Sequence, residues 1–175
     1  TIRVTKGSIY VFCSTEQVSQ LRSEYAKEGL TTRLCIWEKN NPAPVHGDKF
    51  WLSSLECCVF ARKSKATFNE HCSSAVWREA VEKQIKHHPT PKPVKLMARL
   101  IKASTKPGDL VFDPCMGSGS VGMAAKATRA FDRNNSQTTL NMMTLTMLNG
   151  HSPYRMLRQI TAEVEKRENA LNEAQ

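Results

Sequence analysis

No stretch of this chain approaches the ~20 consecutive apolar residues that a membrane-spanning helix requires, and no leader of the secretory type is visible in it. A protein without membrane attachment is the expectation. Metal-ligand spacing is also missing. The six cysteines fall outside any C-x-x-C pattern, and Cys57 and Cys58 are adjacent in an apolar run. Reduced thiols in a cytoplasmic protein fit them better than disulfides. His87 and His88 are too few ligands for a metal site. No internal repeat appears, which excludes solenoids and propellers. Acidic residues are scarce: 16 against 25 Lys and Arg, a formal net charge of +9. That excess favours a polyanionic partner, although lysines also cover ordinary helices. Aromatic residues make up only 7%. Trp37, Phe50 and Trp51 could stack a base, but packing in a strand or hairpin is the ordinary role for the two tryptophans. With 175 residues, one domain or one domain plus a tail is expected.

What is present concentrates between Lys86 and Ala125. Val94, Leu96, Met97, Leu100 and Ile101 recur at helical spacing, with Lys95, Arg99 and Lys102 between them. Pro93 suits the first turn of that helix. Lys106-Pro107-Gly108-Asp109 is turn chemistry. Leu110-Val111-Phe112 reads as a short buried parallel strand. Asp113-Pro114 ends it, and Gly117 and Gly119 allow a tight turn and close approach of the backbone to a ligand. Val121 to Lys126 reads as the next helix, whose free N–H groups and dipole favour an anion. Strand, glycine turn and helix in that order build a nucleotide-type pocket at the carboxyl end of a parallel strand.

The two motifs in this run, H-P-T-P-K-P at 88–93 and D-P-C-M-G-S-G-S at 113–120, resemble the β-class of S-adenosylmethionine-dependent DNA amino-methyltransferases, which modify the exocyclic amino group of adenine or cytosine. In that family both motifs touch the cofactor. The resemblance implies a cofactor site made by Thr90, Lys92, Asp113, Cys115, Gly117, Ser118 and Gly119. Cys115 departs from the family, where an aromatic residue is usual. The likeness extends toward the N-terminus: residues 7–14 resemble a β-rich run, Glu16 to Gly29 a helix with Val18, Leu21 and Tyr25 on one face, 31–42 a strand with its W-x-K loop, and 50–63 a final strand carrying the family's glutamate at Glu56. The resemblance thus covers about residues 7–125.

Some parts of the pattern are not found. The family's catalytic motif, an acid, Asn or Ser followed by Pro-Pro-aromatic, is expected N-terminal to residue 7, and the chain begins at Thr1 without it. Ser152-Pro153-Tyr154 is the nearest echo, with one proline and on the wrong side of the cofactor motif, so no catalytic residue is assigned. The stretch between Lys63 and His87 is short for a recognition region. Asp132 is the only acid near the position where the family's ribose-binding acid belongs, and it comes a few residues early. Leu140, Met143 and Met147 share helical spacing, and from Tyr154 onward Leu157, Ile160, Val164 and Leu171 form an apolar stripe. Residues 1–135 are therefore read as the α/β domain and 136–175 as a helical extension, through which a homodimer or a partner chain would form.

The resemblance implies an α/β fold of three layers, methyltransferase-type and Rossmann-like, with a mostly parallel sheet and helices on both faces. It implies methyl transfer from S-adenosylmethionine to DNA, in the cytoplasm of a prokaryotic cell or a phage-infected host, within restriction-modification. The rival reading is a catalytically inactive methyltransferase-fold subunit for DNA binding or assembly. A third is a methyltransferase acting on RNA or protein.

Overall fold

The computed structural model describes residues 2–44, 47–82, 91–115 and 117–129, and the backbone of a strand at 142–147. Strand β1 (Ser8–Cys13) is buried at every position, the signature of a strand covered on both faces. Helix α1 (Gln17–Lys27) follows. It ends where Gly29 adopts a φ of 71°. Leu30 N–H then donates to the Tyr25 carbonyl and Gly29 N–H to that of Ala26, each at 3.0 Å, a Schellman closure. Strand β2 (Thr31–Lys39) and strand β3 (Leu55–Arg62) form an antiparallel pair. Strand β4 (Val76–Glu79) runs parallel to β2 at the sheet edge.

Helix α2 (Val94–Ser104) buries Leu96, Met97, Leu100 and Ile101, the stripe that the spacing predicts. Pro93 is its N-cap, one residue outside the helix. The first free N–H, that of Val94, donates to Glu82 Oε1 at 2.7 Å. At the other end, Asn69 Nδ2 donates to the carbonyls of Lys102 and Thr105 at 2.7 and 2.9 Å. Strand β5 (Leu110–Phe112) and helix α3 (Ser120–Arg129) complete the motif.

The sheet has six strands in the order β4-β2-β3-β1-β6-β5, where β6 is Met142–Met147. Only β3 runs against its neighbours, so the sheet is mostly parallel, as expected. One face packs Tyr10, Phe12, Cys35, Trp37, Cys58, Phe60 and Trp77 against α2 and α3. The other packs Ile9, Val11 and Val59 against Tyr25 of α1, with Val18 and Leu21 alongside. Helices thus lie on both faces, giving the three expected layers.

Three elements differ from the sequence reading. The strand expected from residue 50 begins at Leu55, and residues 50–52 are exposed instead. Strand β4 falls in the stretch where no element is expected. Most consequentially, the helical spacing of Leu140, Met143 and Met147 does not produce a helix at 142–147. Met143 and Met147 lie instead in β6, parallel to β1 through Ile9↔Thr144 and to β5 through Leu110↔Met142, and Leu140 lies outside the described residues. Met143-Thr144-Leu145-Thr146-Met147 also has period two, and a slot flanked by β1 and β5 selects that pattern. Residues 136–141 and 148–175 lie outside the described residues. So do the helical stripe from Tyr154, with its pairing role, and Ser152-Pro153-Tyr154.

Candidate functional site

Five strands point the same way, so their carboxyl ends line one edge of the sheet. Asp113 stands there, directly after β5. Its Oδ1 accepts the Cys115 N–H at 3.0 Å, which closes the turn. Its Oδ2 is buried with no hydrogen-bond partner among the described residues. A buried, unpaired carboxylate oxygen is costly to keep charged. Accordingly burial raises the Asp113 pKa to about 6, and the Cys115 N–H opposes that only in part.

The turn continues through Gly117 (φ 50°) and Gly119 (φ 78°), both in the left-handed region that a side chain disfavours. A Cβ on Gly119 would meet nothing within 4 Å, so the space in front of the turn is open. Ser118 and Ser120 join hydroxyls at 2.8 Å. Helix α3 starts here, with Met123 N–H bonded to the Gly119 carbonyl at 3.0 Å. The turn therefore combines an acceptor in need of a donor, an open backbone and a helix N-terminus.

Lys92, which the resemblance assigns to the cofactor site, is held by the sheet. It is only 4% exposed. Its Nζ lies 2.7 Å from Glu56 Oε1. It also sits over the rings of Phe12 and Trp37, 5.5 and 5.9 Å from their centroids. Lys39 reaches the same glutamate at 3.6 Å and the same indole at 5.5 Å. Trp37 Nε1 donates to the Glu79 carbonyl at 2.9 Å. The Lys92 ammonium is thus spent on the sheet, where it fixes the Pro91-Lys92-Pro93 segment over β1, β2 and β3. The sequence offers both charges, but nothing in a spacing of 36 residues marks them as partners. Glu82, which caps α2, escapes sequence reasoning altogether.

The structure brings Asp113, Cys115, Gly117, Ser118 and Gly119 together in one turn, and Lys92 to the same end of the sheet. Thr90 and Asp132 lie outside the described residues. None of the six cysteines is in a disulfide. Burial raises Cys58 well above the ordinary thiol value and Cys35 to about 11, so neither is a ready nucleophile at neutral pH. No cluster of metal-ligating side chains occurs among the described residues. A cavity of about 300 Å³, lined by Tyr10, Arg33, Phe60, Phe68, Trp77 and Arg99 among others, lies toward the opposite end of the sheet, away from Asp113. No helix among the described residues is long and apolar enough to cross a membrane.

Comparison with known proteins gives this geometry a family. The family described as DNA methylase, of the N6/N4 methyltransferases, matches residues 2–131. The Type II methyltransferase M2.DpnII of Streptococcus pneumoniae is 30% identical over 138 residues, covering 69% of this chain and 52% of the relative. M.HinfI of Haemophilus influenzae is 32% identical over 145 residues, covering 69% of this chain and 40% of the relative. The chain spans about half the length, or less, of the curated relatives it matches. Among solved structures, the M1.HpyAVI–SAM complex superposes with a TM-score of 0.60 at 27% identity, covering 82% of this chain and 70% of the other. The cytosine-N4-specific PvuII DNA methyltransferase has a TM-score of 0.58 at 13% identity, covering 87% and 68%, a likeness of fold. With the glycine turn after β5, the single reversed strand and a match across most of its length, this chain belongs to the N6/N4 DNA methylase family.

Proposed function

We propose that the protein carrying this chain transfers a methyl group from S-adenosylmethionine to the exocyclic amino group of adenine or cytosine in DNA, as part of restriction-modification in the cytoplasm of a bacterial or phage-infected cell. The observation that carries the reading is the Asp113 turn. Oδ2 is a buried acceptor without a donor, beside an open glycine turn and a helix start. S-adenosylmethionine fits that donor set, because its amino-acid end supplies an ammonium for the aspartate and a carboxylate for free N–H groups. When bound, the cofactor supplies an electrophilic methyl group on a sulfonium.

The residues of this chain bind and orient. Asp113 takes the ammonium, Gly117, Ser118 and Gly119 let the backbone approach, and Cys115 lines the turn. Thr90 and Asp132 are assigned to the same site by motif position. Lys92 acts one step back, holding its loop against Glu56. A duplex base cannot reach this pocket while stacked, so the target nucleotide flips out. Holding its amino group in line with the methyl group then supplies much of the acceleration.

The test is calorimetry with S-adenosylmethionine, followed by transfer of labelled methyl to unmethylated DNA. Asp113→Asn should weaken cofactor binding at least about tenfold, the worth of a charge-assisted hydrogen bond. No heat at millimolar cofactor removes the site. Cofactor binding without transfer by the intact protein leaves a methyltransferase-fold subunit that does no chemistry.

A further inference from the structure

The loop between β2 and β3 carries the most exposed large apolar side chains described in the molecule. Trp51 is 99% exposed and Phe50 73%. Exposure of an entire indole is a cost that a folded protein ordinarily avoids, and two adjacent rings in water mark an interaction site. The loop is braced on either side of them. Gly47 N–H donates to the Pro44 carbonyl at 3.3 Å. Leu52 packs so closely on Gly47 that an added Cβ would meet it at 2.9 Å. Ser54 N–H donates to the Leu52 carbonyl at 2.8 Å, and the Ser54 carbonyl accepts Lys39 N–H at 2.7 Å. The aromatic pair is therefore held outward by the loop.

The loop leaves β2 at Lys39 and enters β3 at Leu55, which sets it at the same sheet end as Asp113 and the Lys92–Glu56 pair. Along the sheet, β2 and β5 are separated by β3, β1 and β6. Four steps of about 4.8 Å make a lateral offset of about 19 Å. The strands that carry the two features are thus about four steps apart at one end of the sheet, a span that a single strand of nucleic acid can cross. Asp48 and Lys49, both exposed beside the rings, cancel each other, and it is the net charge of +9 over the chain that favours a polyanion whose bases have stacking faces.

We propose that Trp51, with Phe50 beside it, is a stacking platform for an unpaired nucleotide flanking the one that enters the methyl-transfer pocket. The proposal rests on the DNA-methylation reading and adds a strand contact to it. Stacking on an indole is indifferent to base identity, so this contact holds the strand in place and reads no sequence.

The tryptophans make the test direct. Trp37 and Trp77 are 2% and 6% exposed, so acrylamide quenching of the protein reports mainly on Trp51. Saturating single-stranded oligonucleotide should shield that fluorescence. Trp51→Ala should lose about tenfold in oligonucleotide affinity while Trp51→Phe retains most of it. S-adenosylmethionine affinity should be the same in both variants. If DNA binds but Trp51 stays open to acrylamide, or if Trp51→Ala binds as the parent does, the platform is overturned and the methylation reading stands. If shielding appears without DNA as the protein self-associates, the surface joins copies of the chain and the platform is again overturned. If the parent fails to bind DNA at low salt, both fall together.

Discussion

Asp113 is the residue on which stability and binding oppose each other. Its folded pKa of about 6 lies above the ordinary 3.8, because burial disfavours the charge. For an acid raised in this way the folded state holds the extra proton between those two values. Stability therefore falls as pH rises from about 4 to about 6, and the loss persists above that. At neutral pH the ionised carboxylate costs at most about 3 kcal/mol, taking 1.36 kcal/mol per pKa unit. Asp113→Asn should raise the melting temperature of the cofactor-free protein at neutral pH while weakening cofactor binding. Calorimetric affinity for S-adenosylmethionine should also fall as pH drops through about 6, since the protonated acid offers an ammonium nothing. A variant that loses stability, or an affinity flat across that range, would place the partner of the cofactor elsewhere. Lys92 poses the converse case. Removing Glu56 strands a buried ammonium, so Glu56→Gln should cost about 3 kcal/mol in denaturant unfolding, and adding Lys92→Met should recover much of it. An additive double mutant would mean that the 2.7 Å contact carries no coupling.

Elements were legible where one local rule decided them. The α2 stripe needed only its spacing: four of its five expected residues, Leu96, Met97, Leu100 and Ile101, are buried and Val94 is half-buried. The α1 stop needed only Gly29, whose φ of 71° is free of any neighbour within 4 Å. Gly29→Ala should then cost about 1 kcal/mol from backbone strain alone, without a clash, measured as a shift in urea midpoint with unchanged slope. A cost near zero would mean that the closure tolerates a side chain. The elements that escaped depend on distant partners. Strand β4 is four residues long and exists through pairing with β2, from Ile36↔Val76 to Lys39↔Glu79. Strand β6 has methionines that satisfy periods of both 3.6 and two, and only the edges of β1 and β5 choose between them. The candidate site divides the same way. Its turn was readable from Asp113 to Gly119, because strand, glycines and helix are contiguous. The Lys92–Glu56–Trp37 assembly draws on three segments and was not.

At the scale of the whole molecule, the charge excess has to be counted by what each cation already does. Lys92 is buried on Glu56. Arg99 reaches Glu70 at 3.2 Å. Arg62 donates to the carbonyls of Ser64 and Ala66 at 3.4 and 2.6 Å. Those three cations serve the fold and are withdrawn from the set that phosphates can use. Lys95, 81% exposed and 3.5 Å from Glu79, is a surface pair of little strength and can turn to a phosphate instead. A fraction of the basic residues, not the full +9, therefore sets the number of counterions released on DNA. With three to four phosphate contacts on a single strand, affinity should fall about twenty- to fiftyfold between ~50 and ~200 mM salt, since the slope of log affinity on log salt is about −0.7 per contact. Titration of an oligonucleotide by anisotropy across that range measures it. Lys95→Ala should lower the slope by about one contact, while Arg99→Ala should leave it unchanged and show its cost in stability. A salt-independent affinity would mean that the positive balance serves something other than a phosphate backbone.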